Sequence, residues 1–138
     1  MSVRHFSFFL PPLLALYGCS IGIITATRTL QEPPFATMYL AGDVTQAGRC
    51  VGKYWQAEAT RMGPFWEVTT TSYRVTVTGN HGAGTPPIGL VIEFTDTPEG
   101  TRGSAHVHPI YPSDDPRRTV TIAALNACKK DSSLNTHN

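Results

Sequence analysis

Charge is scarce in this chain, and neither sign prevails. Only 15% of its 138 residues are charged, with 11 Lys and Arg against 10 Asp and Glu. Nucleic acid and anionic lipid are bound through clustered excess cation, so both are excluded as electrostatic partners. Cysteine is scarcer still. Cys19, Cys50 and Cys128 lie far apart, and the close C-x-x-C spacing of a structural zinc site is missing. Nucleotide signatures are missing too. The glycine-rich Gly79–Gly84 is not followed by Gly-Lys-Ser/Thr, and it joins two strand-like runs instead of opening a helix, so it is neither a Walker A loop nor a dinucleotide fingerprint. No nucleophile–base pair can be read, which points away from an enzyme, and no cofactor is implied.

Long uncharged stretches are confined to the beginning. Phe6–Thr27 contains no Asp, Glu, Lys or Arg. It opens with a short basic start at Arg4, continues through an apolar run, and reaches Gly18-Cys19-Ser20. This is the layout of a secretory signal peptide over residues 1–18. Leu16-Tyr17-Gly18-Cys19 resembles the lipobox of bacterial lipoproteins, with Tyr17 departing from the usual small or β-branched residue. The resemblance implies a diacylglycerol group on the Cys19 sulfur, cleavage before it, and acylation of the new amino group by a fatty acid such as palmitate. Ser20 in place of Asp implies export to the outer membrane. The alternative is a retained inner-membrane anchor over Phe6–Thr27, long enough to span hydrocarbon but interrupted by Pro11-Pro12.

Removal of 18 residues leaves 120, enough for one small domain with a core. Residues 19–40 read as lipid anchor and tether, with an extended piece packed near Phe35–Leu40. About twenty residues reach roughly 60 Å when fully extended. The domain then occupies 41–130, and the polar 131–138 reads as a disordered tail. With Cys19 taken by the anchor, Cys50 and Cys128 form an even pair in an oxidising compartment, which predicts a disulfide.

Asp43 begins a helix, with Gln46 three residues later as in a capping box. Val44, Ala47, Val51, Tyr54 and Trp55 give it an apolar stripe, and Cys50 borders that stripe. After Gly63-Pro64 the period changes to two. Phe65–Val68, Tyr73–Thr78, Ile88–Thr95 and Ser104–Tyr111 predict an antiparallel meander of three to four strands with one buried face and one solvated face. Asp115 and Pro116 start a C-terminal helix. Thr119–Cys128 is open to a strand reading as well, because Thr-Val-Thr-Ile is β-prone. The fold class is α+β, with both helices packed on one sheet face.

His106 and His108 stand two apart on a strand and so project to one face. They are the candidate metal ligands, with Glu93 or His81 as a conjectural third, and the competing reading leaves them simply exposed. Asp114-Asp115 lies beside Arg117-Arg118, which suggests local charge balance. The glycine loop, through Asn80, His81, Gly82 and Thr85, is a candidate partner-binding loop. The lipobox, the run Arg49-Cys50-Val51-Gly52-Lys53-Tyr54-Trp55, the Gly103-Ser104 step and the closing Cys128 together resemble a group of small uncharacterised proteobacterial lipoproteins. That resemblance implies the fold and the envelope location, and no mechanism. The expected function is non-catalytic: a membrane-anchored periplasmic binding or envelope accessory protein, whose partners are the bilayer and an unnamed envelope protein. The alternatives are an inhibitor or immunity protein against a periplasmic enzyme, and a metal-dependent site on His106 and His108.

Overall fold

A computed structural model describes residues 25–79 and 88–130. The fold is α+β, as the sequence predicts. Among the described residues there are three helices, α1 (Ala26–Leu30), α2 (Val44–Met62) and α3 (Pro116–Ala127). Five strands, β1 (Ala36–Leu40), β2 (Trp66–Thr70), β3 (Arg74–Gly79), β4 (Ile88–Thr97) and β5 (Gly100–Val107), form one antiparallel sheet. Its order is β1-β5-β4-β3-β2. The four strands of the predicted meander are consecutive hairpins, and β1 adds a fifth on the outer side of β5. None of the described helices is long and apolar enough to cross a membrane.

The capping box at the start of α2 forms as its spacing requires. The Gln46 amide donates to Asp43 Oδ1 at 2.8 Å, and the Asp43 amide donates to Gln46 Oε1 at 3.2 Å. The helix buries Ala47, Val51, Trp55 and Ala59. Gly52 has a reason to be glycine, since a Cβ there would lie 2.9 Å from Thr70 Cγ2. The helix thus comes closer to β2 than any side chain permits, which offsets the roughly 1 kcal/mol of helix propensity that glycine loses.

Residues 116–127 are helical, settling the helix-or-strand alternative. The Arg117 amide donates to Asp115 Oδ1 at 2.9 Å, and Pro116 fits the first turn. Thr121, Ala124, Leu125 and Cys128 are buried. That is helical spacing, and packing of this stripe overrides the β preference of Thr119–Ile122. The core gathers Val51, Trp55, Val75, Val77, Leu90, Ile92, Phe94, Ala105, Val107 and Leu125 into one cluster between α2, α3 and the sheet. Beyond α3 the chain returns to the sheet: Leu40 bridges Lys129, the Ala41 amide donates to Cys128 O at 3.0 Å, and the Lys130 amide donates to Tyr39 O at 3.2 Å.

The second sheet face is not simply solvated, which corrects the one-faced reading. Val91 and His106 are cross-strand partners on the side opposite Ala105 and Val107, and both are buried. They are covered by α1 and the residues after it. Thr29 Oγ1 donates to Ile88 O at 2.8 Å, and Glu32 O lies 2.7 Å from His106 Nδ1. The stretch expected to serve as a tether therefore carries a helix and a strand of the fold itself. It lacks a period because its two elements are only five residues each.

Candidate functional site

Cys50 on α2 and Cys128 at the end of α3 form a disulfide, with α-carbons 6.0 Å apart and a sequence separation of 78. The two helices lie side by side on the sheet, so the facing positions reach the span a disulfide needs.

The densest polar group lies at the end of the sheet where β2 and β4 begin and β3 and β5 finish. Arg117 is buried there although it is charged, with 2% of its surface exposed. Its guanidinium stacks on Trp66, 4.6 Å from the ring centroid, and on Tyr111 at 3.9 Å. Nη1 donates to Asp115 Oδ2 at 2.8 Å, so the local charge balance is an Asp115–Arg117 ion pair. Nε and Nη2 have no hydrogen-bond partner among the described residues. Flat guanidinium faces match aromatic rings, and this is the arrangement in which Arg tolerates loss of water. Burial pushes the Tyr111 phenol above the usual tyrosine range, against a lowering by Arg117.

Gly89 completes the arrangement. It is the extra residue on β4 where the β3–β4 register shifts, and a Cβ on it would lie 2.8 Å from Tyr111 Cζ. Gly89→Ala should push the ring off Arg117 and destabilise the domain by about 1–3 kcal/mol, the ordinary cost of overpacking. Urea unfolding of the two proteins measures it, and an unchanged midpoint would count against the close approach.

The sequence-derived candidates separate. His106 is buried under the α1 segment, so the reading that leaves both histidines simply exposed is corrected for this one. The physical cause is the cover that α1 supplies. His108 follows β5, and its Nδ1 accepts from the Ile110 amide at 3.3 Å. Glu93 is paired with Arg74 at 2.6 Å. Among the described residues, no group of three His, Cys, Asp or Glu stands close enough to hold a metal. Cys19, Asn80, His81, Gly82 and Thr85 lie outside the described residues. Two open grooves flank α2. One of about 400 Å³ is lined by Gln56, Ala59, Thr60, Gly63, Pro64 and Trp66. The other, of about 250 Å³, is lined by Thr45, Arg49, Thr70, Thr71 and Ser72. Neither places a nucleophile beside a base. Sequence reasoning named Arg117 for charge balance with the neighbouring aspartates, which the Asp115 pair bears out, but missed its burial between two rings.

Comparison with protein-family models, curated proteins and solved structures gives no match.

Proposed function

We propose that the chain is a lipoprotein acylated on Cys19, held at the periplasmic face of the outer membrane, and acting by binding without catalysis. The observation that carries this reading is the Cys50–Cys128 disulfide. It accounts for two of the three cysteines and suits an oxidising compartment. It leaves Cys19 alone in the Leu16-Tyr17-Gly18-Cys19 run. The resemblance to small proteobacterial lipoproteins points the same way. Asp115, Arg117 and Glu93 are engaged with neighbours in ion pairs and ring contacts, so these polar groups serve the fold.

One acyl chain binds a bilayer only marginally, whereas several hold it firmly, at about 0.8 kcal/mol per buried methylene. Wild type should therefore float with membranes, and Cys19→Ser should appear in the soluble periplasmic fraction. Mass spectrometry of the wild type should show a chain starting at an acylated Cys19. An intact Met1, or a soluble wild-type protein, would refute the anchor. Pull-down from envelope extract under mild detergent is the route to the protein partner.

A further inference from the structure

We propose that the sheet end bearing Phe65 and Ile110 rests against the bilayer surface, an inference that depends on acylation of Cys19. Two independent observations meet at that end, one from chain length and one from surface chemistry.

The first is where the anchor enters the fold. Thr25 caps α1, its side chain accepting from the Arg28 amide at 3.3 Å. Thr25 lies six residues after Cys19. Six residues span at most about 20 Å, a third of the reach a twenty-residue tether would have. Thr29, one turn beyond Thr25, is fastened to Ile88 O at the first residue of β4. Glu32 is fastened beside His106 near the end of β5. The leash consequently leaves from the end of the sheet where β4 starts, while the opposite end is about 30 Å away along ten residues of strand.

The second is what that end exposes. Phe65 is 63% exposed and Ile110 is 67% exposed. Each precedes one of the aromatic rings that sandwich Arg117, so the two lie on neighbouring parts of one surface. Pro64 and Pro109, the residues just before Phe65 and Ile110, are exposed as well. Proline has no N–H to strip of water, and large apolar side chains such as Phe and Ile are stabilised by entering the headgroup–acyl boundary. Arg61, at the end of α2, is paired with Glu58. Exposed charge is present at this end too, in Glu67 and Asp114, but the far end gathers more of it, in Asp43, Asp96, Glu99, Lys129 and Lys130, around the exposed rings of Tyr39 and Tyr73. An apolar tip too small to bind lipid alone becomes effective when a short leash makes the contact intramolecular.

The test uses the full acylated protein, reconstituted into phosphatidylethanolamine and phosphatidylglycerol vesicles. Phe65→Cys, Ile110→Cys and Tyr73→Cys are each labelled with an environment-sensitive fluorophore. All three sites are exposed, so the core is untouched, and Tyr73 lies in the β2–β3 turn at the far end. Labels at 65 and 110 should shift to the blue and be quenched by lipids carrying a doxyl group near the headgroup, and the label at 73 should do neither. Equal quenching at all three positions, or none at 65 and 110, overturns the proposal. So does shielding of 110 in native envelopes without quenching in vesicles, because a protein would then cover this end. Mass spectrometry of the same preparation separates the two failures: an unacylated Cys19 removes the anchor reading itself, whereas an acylated Cys19 with unquenched labels removes only the orientation.

Discussion

Reduction of the Cys50–Cys128 bond should lower the melting temperature by roughly 16–32 °C. The bond closes a loop with a sequence separation of 78. In the chain-entropy account such a cross-link removes about 4 kcal/mol of freedom from the unfolded chain. A small domain has a net stability of about 5–15 kcal/mol, and each kcal/mol moves its midpoint by about 4–8 °C. Cys50 is exposed while Cys128 is buried. A Cys50→Ser/Cys128→Ala pair therefore removes the bond without placing a new polar group in the core. Thermal unfolding of this variant should match that of reduced wild type. Two free thiols titrating at Cys50 and Cys128 in the unfolded, unreduced protein would refute the bond, and an unchanged midpoint after reduction would refute its weight.

Asp115→Ala should cost about 3–5 kcal/mol, far more than Arg117→Met. Arg117 is buried at 2% side-chain exposure, and Asp115 is only 10% exposed. Removing the carboxylate leaves a guanidinium without its counter-charge inside the fold, which is the expensive way to break such a pair. It also removes the cap on the Arg117 amide, about 1 kcal/mol by itself. Methionine at 117 removes the buried guanidinium, fills similar volume between Trp66 and Tyr111, and forfeits the ring–cation attraction of about 0.5–2 kcal/mol per ring. The Asp115 carboxylate it leaves behind is the less buried partner and keeps the amide of residue 117 as a donor, so its lost counter-charge costs less. Urea unfolding of the two single variants and the double variant gives the coupling directly. An Arg117→Met variant less stable than Asp115→Ala would sink this ranking, because the guanidinium would then contribute more through its rings than it demands in counter-charge.

How far the sequence discloses this fold depends on whether a segment's signal is local. The capping box at Asp43 and Gln46, the period-two runs and Asp115-Pro116 are written in neighbouring residues and read correctly. The cysteine pair follows from counting. What escapes is set by long-range contact. β1 has five residues with no clean alternation, and its place beside β5 comes from pairing with residues more than sixty positions away. The alternation in β5 places His106 opposite the core, yet nothing near it announces that α1 lies over that side. The burial of Arg117 is likewise invisible, because its two ring partners come from separate stretches of chain. The extra residue at Gly89 shows in sequence only as a glycine inside a strand.

Open strand margins invite chain-to-chain pairing. The two outermost strands here, β1 and β2, have five residues each and flank inner strands of up to ten. A five-residue margin offers a passing strand only about two or three outward backbone positions. On β1 even these are interrupted, because Lys129 and Lys130 lie antiparallel to its last residues and occupy Tyr39 O. Lysine at a margin also repels a like partner. The short return of the chain after α3 thus works as a stopper against fibre-like stacking, and it stays in place because Cys128, the residue before it, is fastened to α2.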